Sequence, residues 1–153
     1  MPKIDIAGVP VRNGIGLPAP FAAPSADRLR QGLGDVGGLT AFGVNLARLP
    51  PGAWSAQRHW HSHEYEFVMV LEGEVVLIED DGETVLAAGT CAAFPKGTGN
   101  GQHLINRSQA DAVYLDIGSR DRNDVTTCSD VDIMSANTEG RFKKKDGTPY
   151  PVG

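Results

Sequence analysis

All four histidines of the chain fall in two places: three in the segment Arg58-His59-Trp60-His61-Ser62-His63 and one at His103. Imidazole is both a common metal ligand and the side chain that changes charge near neutral pH, so this clustering marks where chemistry is to be sought. On an extended strand, side chains two apart share a face, so His59 and His61 point into one space while Trp60 points away. Residues 62 to 64 supply a reversal into the next strand, which brings Glu66 back opposite the histidine pair. There Glu66 breaks the apolar run Phe67-Val68-Met69-Val70-Leu71 by sharing a face with Val68 and Val70. Aiming an unpaired carboxylate at a sheet core carries a large desolvation cost, and a cation offsets it. A third imidazole from a distant strand would complete a mixed N/O ligand set, suited to Fe, Mn, Ni, Zn or Cu rather than Ca or Mg. The competing reading is a hydrogen-bonded polar cluster with no ion. His63 shares strand parity with His61 but sits too close to the reversal to join the set, and reads as a turn or pocket-rim residue.

The elements that must position these groups are short and β-prone. From Leu39 onward, strands are predicted over 39–49, 55–61, 65–71, 74–79, 83–87, 90–94, 102–106, 112–118 and 125–128. Pro50-Pro51-Gly52, Glu72-Gly73, Asp80-Asp81-Gly82 and Ala88-Gly89 supply the fixed or positive φ angles of tight turns. This pattern predicts an all-β antiparallel sandwich or barrel over 39–128. Residues 1–38 read as an extended N-terminal arm in which Ser25 caps a short helix reaching about Leu33, and 129–153 as a C-terminal extension. Gly32, Gly34 and Gly37 spell a lone G-x-G-x-x-G, but a helix precedes it in this reading and no strand leads into it, so no dinucleotide site follows. Trp60, Phe67 and Met69 are assigned to packing on the side of the strands away from Glu66. Lys96, Gln102, Tyr65, Tyr114 and Asp116 are candidates for the pocket mouth.

Composition excludes several function classes. With 153 residues the chain supports one core, and its formal charge of -5 argues against a surface for nucleic acid or anionic lipid. Lys143-Lys144-Lys145 adjoins an Asp146-Gly147 turn and reads as a solvated loop. The first residues lack the apolar core of a signal peptide and no apolar run reaches membrane-span length, so the expected location is cytoplasmic. Cys91 and Cys128 form no C-x-x-C pair and are expected as reduced, partly buried thiols.

Two spaced motifs carry a resemblance to the cupin superfamily. Its first motif, G-x5-H-x-H-x3,4-E-x6-G, is matched by Gly52, His59, His61, Glu66 and Gly73, with one residue added before His59. Its second, G-x5-P-x-G-x2-H-x3-N, is matched by Gly89, Pro95, Gly97, His103 and Asn106, with a longer loop before His103 and a shorter gap after it. The stretch HWHSHEYEFVMVLEGE and the terminal KDGTPYP further resemble small bacterial cupins of the sugar-phosphate isomerase-like kind. The resemblance implies a double-stranded β-helix, the jelly-roll cupin barrel, with one divalent transition metal ion on His59, His61, Glu66 and His103 near one end and a substrate pocket above it. His103 takes its ligand role from the resemblance alone.

Four protein ligands on a six-coordinate ion leave two adjacent positions for a chelating substrate. The expected function is a metalloenzyme acting on a small oxygenated metabolite such as a sugar, carbonyl compound or hydroxy acid. Its chemistry would be of the isomerase or lyase type, or dioxygenase chemistry. The alternative from another class is a cupin that binds a small molecule without turning it over. A homodimer is expected, because cupins commonly cover a barrel edge by pairing, with the N-terminal arm reaching across the two-fold.

Overall fold

The computed structural model describes residues 2–151. Among them the strands are β1 (Val11–Asn13), β2 (Leu29–Gly32), β3 (Phe42–Leu49), β4 (His59–His61), β5 (Glu66–Glu72), β6 (Glu74–Glu79), β7 (Gly82–Ala87), β8 (Cys91–Phe94), β9 (His103–Ile105), β10 (Ala112–Ser119), β11 (Val125–Cys128), β12 (Met134–Ala136) and β13 (Phe142–Lys143). One sheet has the order β1-β2-β3-β10-β5-β8. Facing it are β13-β12-β11-β4 and β7-β6-β9, joined by an isolated bridge between His59 and Gln102. All pairings are antiparallel. Two facing antiparallel sheets of this kind form the double-stranded β-helix that the sequence predicts.

Alternation explains why these segments are strands. Along β5, Val68 and Val70 are buried while Met69 and Leu71 are exposed, and along β6 Val75 and Leu77 point inward. With Leu49, Leu86, Leu104 and Tyr114 they fill one end of the barrel with apolar packing. The opposite end holds a cavity in which polar and apolar side chains are mixed. The turn between β5 and β6 depends on Gly73, whose φ is +70° and where a Cβ would meet Asp111 O at 2.6 Å. No side chain fits that approach.

Three expectations are corrected. The helix from Ser25 to Leu33 is absent: a 3-10 turn covers Ala23–Ser25, and residues 29–32 form β2, which pairs with β3 of the same chain. Pairing along β3 outweighs a weak local helix preference, and the short helix α1 (Leu33–Val36) begins only after it. Met69 lies on the face away from Glu66, as expected, but that face is the outside of the six-stranded sheet, where Met69 is exposed rather than packed. Of the two thiols, Cys128 is buried and Cys91 is exposed; both are free.

Candidate metal centre

The cluster forms where the two sheets meet. His59 and His61 sit on β4, held by pairing with Cys128 and Thr126 of β11, and Glu66 opens β5 opposite Gly118 of β10. A Cβ at Gly118 would press on Tyr65 O at 3.3 Å and touch Glu66 Cγ at 3.8 Å. The ligand atoms of His59, His61 and Glu66 all lie within 4.8 Å of one another. Glu66 Oε1 is 3.3 Å from His59 Nε2 and also contacts His61 Nε2, and the two rings cross edge-on with centroids 5.1 Å apart. His103, on β9, lines the same cavity but stands outside that tight group, with its ring edge-on to Trp54.

Each of the three imidazoles is fixed through Nδ1. His59 meets Gln57 O at 2.8 Å, His103 meets Ala56 O at 2.8 Å, and His61 meets Asp124 Oδ2 at 2.7 Å. A ring that donates from Nδ1 keeps, when neutral, a free lone pair on Nε2. Two such nitrogens aimed at one half-buried carboxylate could hold a metal ion with the ligands oriented from outside. The donor set, imidazole nitrogen with carboxylate oxygen, fits a divalent transition metal.

Asp124 is the member that sequence reasoning missed. It is 1% exposed. Its Oδ2 faces His61, and its Oδ1 accepts from the backbone N–H of His63 at 2.8 Å and of Glu64 at 3.1 Å. One carboxylate thus orients a ring and pins the turn between β4 and β5. The only local signal was an acidic residue immediately before β11, with nothing to link it to a partner 63 positions away.

Electrostatics follow from this packing. Burial works against a charged His61 ring, but its bonds to Glu66 and Asp124 prevail and hold its pKa up to about 9 without an ion. Burial would raise Glu66, yet the two imidazoles hold its carboxyl well below the usual range. Desolvation lowers His103. Burial, and then the charge of Glu66, pushes Asp116 up to about 6, with Arg28 pulling the other way.

Other candidates divide cleanly. Gln102, Tyr114 and Asp116 line the same cavity of about 430 Å³ as the cluster, whereas Tyr65 and Lys96 do not, Lys96 Nζ lying 5.5 Å over the Tyr65 ring. His63 is exposed on its turn, hydrogen-bonded to Ser62 Oγ at 2.7 Å. Asn106 is fully buried, its amide bonded to Leu49 O and Ala110 O at 2.8 Å, so the motif asparagine is a structural clamp.

The cupin domain family matches residues 45–118. A crystal structure from Silicibacter pomeroyi, described as a sugar phosphate isomerase from a cupin superfamily, is 43% identical, with 99% of this chain and 98% of that chain covered at a TM-score of 0.92. The chain is a cupin. A candidate sugar phosphate isomerase from Acidithiobacillus ferrooxidans is 26% identical over 82% of this chain and 81% of that one, with a TM-score of 0.72. An oxalate decarboxylase candidate from Thermotoga maritima, 16% identical over 76% of this chain and 97% of that one, shares the cupin fold at a TM-score of 0.63. Among curated proteins no relative matches this cupin. Among the described residues no helix is long and apolar enough to cross a membrane.

Proposed function

We propose that this cupin is a metal-dependent enzyme in which His59, His61, Glu66 and His103 hold one divalent transition metal ion, and that it isomerises or cleaves a small oxygenated metabolite. The observation that carries the reading is the anchoring of Nδ1 on His59, His61 and His103, three imidazoles that line one cavity with the half-buried Glu66 carboxylate. A bound ion of this class supplies Lewis acidity that polarises a substrate carbonyl, and with Fe, Ni or Cu it would also permit dioxygen chemistry. The isomerase-type choice draws support from the sugar phosphate isomerase name of the 43% identical relative.

The chain's own residues do the rest. Isomerisation next to a carbonyl needs a group that takes and returns a proton near neutral pH. Asp116, with a carboxyl pushed up to about 6, lines the cavity with the ligand set. Tyr114 lies beside it, its hydroxyl accepting from Arg28 Nε at 3.4 Å and its own proton free to be donated. Ile15 and Leu17 add apolar surface to the cavity wall.

Elemental analysis of protein purified without a histidine tag, followed by turnover assays on aldose and ketose phosphate pairs with Fe, Mn, Ni, Co and Zn, tests this directly. Stoichiometric metal with interconversion by one ion is the expected result. Absence of turnover with every ion would count against the catalytic half, and absence of metal against the whole.

The same reading includes a homodimer. Leu46, Leu115 and Met69 lie in register across the outer face of the six-stranded sheet, with Val44, Ile117 and Phe67 in the next row. An apolar sheet face of this extent is suited to burial against a second copy. Light scattering that returned a monomer would remove the dimer.

A further inference from the structure

Arg28 precedes β2 and enters the cavity from the N-terminal segment. Its side chain is 8% exposed, yet its polar contacts are loose: Nε to Tyr114 Oη and Nη2 to Asp116 Oδ2, both at 3.4 Å. Among the described residues Nη1 has no hydrogen-bond partner, and this nitrogen is not sealed from solvent. Charge-assisted bonds normally run about 2.7–2.9 Å. Other arginines of the chain meet that standard: Arg58 grips Asp130 at 2.8 and 2.9 Å, and Arg107 grips Glu83 at 2.6 and 2.9 Å. The guanidinium therefore keeps donors open to the cavity, where a ligand can take them.

The register explains how Arg28 reaches the site. Arg30 pairs with Ala47 and Gly32 with Asn45 across β2 and β3, and Tyr114 and Asp116 pair with Ala47 and Asn45 across β3 and β10. Arg28, two residues before Arg30, shares its strand parity and reaches Tyr114 and Asp116 on that face of the sheet. Gly118 and Glu66 follow in the next row. Arg28 and the ligand set thus share one cavity wall. Arg28 and Arg30 line that cavity with Glu64, Glu66 and Asp116, while Arg120 is held by Asp35 at 2.6 Å, so the excess carboxylate charge is what a cation at the ligand set would offset.

We propose that Arg28 recognises an oxyanion, and that the substrate taken at the metal centre is a small metabolite carrying a carboxylate or phosphate. This rests on the metal-dependent reading above. A planar fork matches two oxygens of either group, and a cavity of about 430 Å³ holds a molecule of a few carbons with its anionic end on Arg28 and its other oxygens toward the histidines. Asp116 then acts as the internal stand-in that occupies Nη2 until the anion arrives.

Calorimetric titration of the metal-loaded full chain with glycolate, inorganic phosphate and neutral ethylene glycol tests the assignment. At least one anion is expected to bind far better than ethylene glycol, and the anion that loses affinity in Arg28→Met identifies the group as carboxylate or phosphate. The expected loss is at least about tenfold. Arg28→Lys, which keeps the charge and loses the fork, is expected to lose severalfold, and Asp116→Asn to bind more tightly because it removes a negative charge from beside the anion and weakens the hold on Nη2. These two variants carry the test if Arg28→Met does not fold. Equal anion binding by wild type and the Arg28 variants, binding of neither anion, or ethylene glycol binding as well as glycolate overturns the proposal. Metal content measured on the same samples keeps the readings apart. Full metal with anion binding indifferent to Arg28 sinks only the anion site; Arg28-dependent anion binding in a protein that takes up no metal sinks only the metal reading.

Discussion

Asp124 Oδ2 lies 2.7 Å from His61 Nδ1, and this bond sets the direction in which His61 Nε2 faces Glu66. Asp124→Asn keeps an acceptor for the N–H groups of His63 and Glu64 but replaces the charged partner of the ring. Metal affinity is expected to fall about 10- to 100-fold with little change in fold. Competition with a chromophoric chelator, alongside circular dichroism, reads both quantities. An unchanged affinity would reduce Asp124 to a turn clamp.

Metal uptake should be strongly pH-dependent. In the metal-free protein His61 is held up to about 9, so near neutral pH an incoming ion must displace its proton. Apparent affinity is therefore expected to rise with pH by about tenfold per unit below about 9 and to level off above it. Calorimetry in buffers of different ionisation enthalpy should register close to one released proton at neutral pH. The metal-free fold has the opposite trend from this group. Its folded pKa exceeds the ordinary 6.5, so the stabilisation is complete below 6.5 and is lost as pH rises toward about 9.

Gly73→Ala is expected to cost about 1–3 kcal/mol, since the new Cβ meets a main-chain oxygen and the φ of +70° is unfavourable to it. Urea denaturation measures the loss. A neutral result would mean that the β5–β6 turn has moved.

The two faces of the six-stranded sheet should respond differently. Leu49, 0% exposed in the apolar end, is expected to cost about 2–5 kcal/mol on replacement by Ala. Met69→Glu, on the outer face, should leave the chain's fold and metal content intact and convert a dimer to monomers by light scattering. If Met69→Glu unfolds the chain, the outer face packs against something within it.

Much of this was legible in the sequence because alternation is a local signal. Residues 74–79 and 125–128 match the predicted strands, and strand parity alone put His59 with His61 and set Glu66 against its apolar neighbours. What escaped depends on distant partners. Leu29–Gly32 carries no strong strand pattern and becomes β2 only because β3 offers an edge, and β12 and β13 are short, half-buried additions beyond β11. Asp124 looks like any turn aspartate until β11 pairs with β4 and delivers it to His61. Arg28 was hidden for the same reason, lying in a segment whose sequence reads as an arm.

That segment has a consequence for specificity as well as for structure. The cupin match spans 45–118 and contains the four proposed ligands, whereas Arg28, Ile15 and Leu17 come from before it. On the two proposals above, reactivity and selectivity lie in separate stretches of chain. A foreign leader that kept the pairing of β2 with β3 could alter what the site accepts while leaving the four ligands in place.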